Sequence, residues 1–81
     1  MIKGTPKEYA DNLLDEYSVM LYGFEFDLLL GRNEGEVKDI ALKAVEKILD
    51  VFAYYVQLDH PIYYSIFNTY FVEVKQEIET R

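Results

Sequence analysis

Apolar residues recur at helical spacing along almost the whole chain, and two breaks divide that pattern into three segments. The first segment opens on Thr5-Pro6-Lys7-Glu8. Thr5 reads as an N-cap, Pro6 as the first helical residue, and Glu8, three residues beyond the cap, as the closing acid of a capping box. Tyr9, Ala10, Leu13, Leu14, Tyr17, Met20, Leu21, Phe24 and Leu28 then form one stripe, with Glu8, Asp11 and Asp15 on the opposite face. The stripe stays in phase across Gly23, so the spacing predicts a helix over 6–30 with a weak point at that glycine. The alternation Phe24-Glu25-Phe26-Asp27-Leu28 resembles a short strand, but no second alternating segment exists to pair with it.

Gly31-Arg32-Asn33-Glu34-Gly35 reads as a loop, and Asn33 with Glu36 as a second cap-like pair. A helix is predicted over 34–58, with Val37, Ile40, Ala41, Ala44, Val45, Ile48, Leu49, Phe52, Tyr55 and Val56 facing inward. Leu58-Asp59-His60-Pro61 is the second break, because Pro61 cannot occupy a helix interior. The third helix is predicted over 61–79, on the stripe Tyr63, Phe67, Tyr70, Phe71, Val74 and Ile78. Short connections make consecutive helices antiparallel neighbours. The expected fold is therefore all-α, a three-helix bundle-like domain covering 1–81.

Aromatic residues change this picture. Eight of them fall between Phe52 and Phe71, and not all fit an inward stripe. Tyr54 shares the polar side of the second helix with Lys43, Lys47 and Asp50, while Ile62, Ile66 and Val72 lie off the main stripe of the third. A helix that is apolar on more than one side needs more cover than three helices supply. The expected cover is a second copy of the chain, meeting it through Tyr54, Tyr55, Ile62, Tyr63, Ile66 and Tyr70.

Composition agrees with a small domain in need of support. The chain has 81 residues, no cysteine and one histidine, which excludes disulfides and leaves no closed set of zinc ligands. Helix packing and oligomerisation remain. The formal net charge of −7 disfavours direct contact with a nucleic-acid backbone and favours a basic protein partner. No stretch of about 18 apolar residues is present, so no membrane span is expected. No signal-peptide pattern is visible at the N-terminus, and the expected location is the cytoplasm.

A search for chemistry returns little. Ser18, Ser65 and His60 are the scarce parts for nucleophilic catalysis, and Asp59 is too close in sequence to His60 to orient it. His60 reads first as a turn residue, with an enzyme built around it as the second alternative to an interaction protein. No E-x-x-H pair, phosphate-binding glycine loop or EF-hand spacing occurs. No enzyme and no cofactor are expected. Six acids between Glu8 and Asp27, with no base after Lys7, read first as a solvated face and second as a surface that fills a basic groove. Glu8, Asp11 and Asp15 would carry that acidic face. Sequestering a small signalling nucleotide would call on Arg32, Lys43, Lys47, Lys75 and Arg81.

Three stretches carry a family resemblance: Thr5-Pro6-Lys7-Glu8, Ile40 through Asp50, and Val72 through Glu79. Together they resemble a group of small helical proteins from gut Bacteroidetes phages and their hosts. That group reads T-P-K-E-K-A, then A-L-I-A-V-D-E-I-L, then Y-W-Q-E-V-K-Q-E-I. This chain departs from it at Tyr9 and at Tyr70-Phe71, where the group has Lys and Tyr-Trp. The group has no settled activity, so no functional residue carries over. The resemblance implies a phage-linked origin in a bacterial host, and with it an anti-defence inhibitor as an alternative to plain interaction or self-assembly.

Overall fold

The computed structural model describes residues 4–59 and 61–81, with the side chains of 55–64 outside the description. Three α-helices pack together: α1 (Pro6–Tyr22), α2 (Arg32–Asp59) and α3 (Pro61–Glu79). A single 3-10 turn (Phe26–Leu28) lies between the first two, and there is no strand among the described residues.

The first helix starts where the capping box places it. The Glu8 amide donates to Thr5 Oγ1 at 3.2 Å, and Pro6 occupies the first helical position. It does not run to Leu30. It ends at Tyr22, because Gly23 adopts the left-handed conformation (φ 78°) and donates its N–H to the Val19 carbonyl at 2.9 Å. That geometry closes the last turn and turns the chain away, and a side chain at Gly23 would resist it. The chain then drops Phe26 and Leu29 into the core, while Phe24 and Leu28 point outward. The continuous stripe assigned the opposite pair. Helix α2 begins at Arg32, directly after Gly31 (φ 61°), so Asn33 lies inside its first turn instead of capping it.

The helices run up, down and up. Lys75 Nζ lies 3.3 Å from Glu46, and the rings of Phe52 and Phe67 stack at 5.1 Å, so α2 and α3 are antiparallel. The Tyr22 hydroxyl donates to Glu36, which sets α1 antiparallel to α2. The core takes Ala10 and Leu14 from α1, Val37, Ala41 and Val45 from α2, and Phe71, Val74 and Ile78 from α3. Among the described side chains most of the other expected inward positions hold, but Met20 (73% exposed), Leu21 (48%) and Ile40 (37%) do not face the core.

The helices differ in length, and this shapes the molecule. Helix α2 has 28 residues, about 42 Å at 1.5 Å per residue. It therefore spans the long dimension of a 42 × 21 × 20 Å body. Helix α1 has 17 residues and starts level with Phe71: the Tyr9 ring meets those of Phe71 and Tyr70 edge-on, at 5.4 and 6.0 Å. Beyond that level α2 and α3 continue as a two-helix hairpin. The radius of gyration is 13.6 Å, against about 11.7 Å for a compact chain of this length.

Candidate functional site

Three of the four acidic residues of α1, Glu8, Asp11 and Asp15, have structural partners. Glu8 accepts from the Thr5 hydroxyl at 3.3 Å. Asp11 pairs with Arg81 beyond the end of α3, and Arg81 also reaches Glu77 at 3.3 Å. Asp15 Oδ1 accepts from the Phe26 amide at 3.0 Å and so caps the 3-10 turn. Asp11 and Asp15 are half-buried at the margin of the core, not on its far side. Ser18, fully buried, donates its hydroxyl to the Phe24 carbonyl. Side chains of α1 thus satisfy backbone groups of the turn that follows it, as buried or half-buried polar groups require. Periodicity alone gave no sign of these long-range bonds.

The residues expected to meet a partner divide. Tyr54 and Ile66 are 68% and 60% exposed. They lie at about the same height on the hairpin, given that Phe52 stacks on Phe67. Tyr55, Ile62 and Tyr63 fall outside the described side chains. Tyr70 is half-buried and turned toward the start of α1, with its hydroxyl 3.3 Å from the carbonyls of Gly4 and Thr5. Its ring is a packing element of the monomer, so it leaves the exposed set.

What these residues share is the projecting hairpin. Among the described side chains, none from Glu46 to Tyr70 is buried. In the sequence, residues 51–72 carry Asp59 as their sole charge, with His60 neutral. Two helices can bury one seam between them, here the Phe52–Phe67 stack, and leave their outer sides to solvent. Val51, Tyr54, Ile66 and Val72 are exposed on those sides.

A second apolar surface lies at the other end, where the sequence predicted continuous helix. The end of α1 and the turn beyond it expose Val19, Met20, Leu21, Phe24, Leu28 and Leu30, by 48% to 84%. A shallow depression of about 460 Å³ opens there, lined by Asp15, Glu16, Val19, Met20 and Glu25. A smaller one of about 310 Å³, lined by Tyr9, Asn12, Leu13 and Glu16, continues it along α1.

Among the described residues three tyrosine hydroxyls, those of Tyr9, Tyr22 and Tyr70, are shifted upward from their ordinary pKa. Burial does this to Tyr9, with the nearby Tyr17 and Glu16 adding to it. Burial also leads at Tyr70, followed by Tyr9 and Glu8. At Tyr22 the hydrogen bond to Glu36 is the main cause. All three favour the neutral phenol.

Of the cations considered for nucleotide binding, Lys75 and Arg81 are committed to Glu46 and to Asp11 and Glu77. Arg32 stands at the start of α2, while Lys43 and Lys47 lie on its exposed side. His60 lies outside the described residues. Among the described residues no group of three His, Cys, Asp or Glu is placed to hold a metal ion, and no helix is long and apolar enough to cross a membrane. Comparison with known proteins finds no matching family model, no matching curated protein and no matching solved structure.

Proposed function

We propose that this chain is a non-enzymatic interaction protein that assembles with itself through the projecting end of the α2–α3 hairpin. The observation that carries the reading is the coincidence of two features. The hairpin extends past α1, and the same stretch, residues 51–72, is aromatic and nearly uncharged. For a chain of net charge −7, the overall charge opposes contact between two copies, and a stretch without charge escapes local repulsion. Two hairpins related by a two-fold axis would pack as a four-helix arrangement and cover the sides that a lone hairpin exposes. Tyrosine suits such a contact, with a flat apolar ring and a polar tip that remains satisfied in water.

Assembly also supplies stability that a small domain lacks. A core of this size gives about 3–5 kcal/mol, and binding to the folded form adds to it by mass action. Light scattering on the purified protein tests the reading. The expected result is a dimer or higher species at micromolar concentration, which falls apart in an Ile66→Glu variant that keeps its helical circular dichroism. A phage-linked setting rests on the resemblance of the three motifs and is part of this proposal.

A further inference from the structure

The outer face of α1 carries a surface with a different character from the hairpin. Tyr9, Leu13, Glu16, Val19 and Met20 recur at three- and four-residue spacing, so they line one side of the helix. The two depressions follow that line and share Glu16. Val19 and Met20 are 51% and 73% exposed, on a helix whose opposite side already supplies the core. The rim is acidic. Glu16, Glu25 and Asp27 have no basic partner and no side-chain hydrogen bond among the described residues. No Lys or Arg occurs from Glu8 to Gly31.

We propose that this face binds a basic amphipathic helix of another protein. Its apolar residues would seat on Val19, Met20 and Leu13, and its Lys or Arg residues would meet Glu16 and Glu25. Charge selects the occupant. A second copy of this chain would bring the same unpaired carboxylates against themselves, and like charges across an interface disfavour it. A nucleic acid or an anionic membrane is repelled for the same reason. A helix fits the shape, since the face is a shallow strip along one helix and anchors at i, i+3, i+4 and i+7 match it. Methionine at the centre adapts to side chains of varied outline.

The test uses three synthetic 18-residue peptides against the full chain, followed by calorimetry and by amide shifts in NMR. One peptide places Leu on a single helical face and Lys elsewhere. The second has the same composition with the Leu positions scrambled, and the third replaces every Lys with Glu. The expected result is binding of the first peptide alone, with shifts centred on residues 13–25. Raising the salt concentration should weaken it. Glu16→Lys and Met20→Ser should each reduce the affinity at least tenfold. Both positions are exposed, so the fold should survive, as circular dichroism will verify. Ile66→Glu, at the hairpin, should leave peptide binding unchanged. Equal binding of the scrambled peptide, shifts elsewhere, or indifference to Met20→Ser would each overturn the proposal. A change of oligomeric state in Met20→Ser would also overturn it, by making the face a contact between copies.

Discussion

At the scale of the residue, the polar groups of α1 decide how the chain turns. Asp15 holds the Phe26 amide and Ser18 holds the Phe24 carbonyl, so the helix secures the turn that leaves it. The charge pattern showed six acids on one stretch but not that two of them have partners eleven and seventy residues away. Reversing Asp11 and Asp15 to Lys therefore reports on folding as well as on surface charge. The double variant should lose at least about 1 kcal/mol in chemical denaturation. Gly23→Ala should cost about 1 kcal/mol, because alanine resists the left-handed backbone that ends α1. Tyr9 and Tyr70 add a pH dependence. Their folded pKa lies above the unfolded value of about 10, so their contribution is complete below that pH and is lost as pH rises through the folded value. Melting temperature should hold up to about pH 10 and fall as pH rises above it, and Tyr9→Phe and Tyr70→Phe should flatten that fall.

At the scale of the element, the three-helix pattern was legible because amphipathic spacing and capping agree. Thr5-Pro6-Lys7-Glu8 set the start of α1, and Phe71, Val74 and Ile78 were identified as the inward face of α3. The segment from Gly23 to Gly31 was not legible. Its apolar residues remain in helical phase, and although Gly23 marked a weak point, the pattern does not decide between a continuous helix and a left-handed cap there. As a result Phe24 and Leu28 were assigned inward, where Phe26 and Leu29 are found. The difference is measurable. Phe26→Ala should cost about 3 kcal/mol, as removal of a buried aromatic does. Leu28→Ala, at a side chain 67% exposed, should stay within about 0.5 kcal/mol. The same misplacement hid the apolar face around Met20, which appears only once the helix is seen to end at Tyr22. Of the hairpin set, Tyr54 and Ile66 are exposed, while the hydroxyl of Tyr70 reaches the start of α1.

At the scale of the whole molecule, unequal helix lengths organise the account. A bundle of three equal helices would bury its aromatics internally and present a charged exterior. Here α1 covers only part of the α2–α3 hairpin. The core lies beside α1, and the uncovered end holds the residues that carry almost no charge. Two surfaces follow, one nearly neutral on the hairpin and one acid-rimmed on α1, suited to different occupants. On the two proposals, self-association should depend on the hairpin alone and peptide binding on α1 alone, so concentration should affect the two differently. The measurement that tests the central claim most directly is sedimentation equilibrium of the wild-type chain and of Ile66→Glu across the micromolar range. The expected result is a self-associating wild type and a monomeric, fully helical variant. A wild type that stays monomeric throughout, or a variant that unfolds because Ile66 belongs to the core, would contradict it.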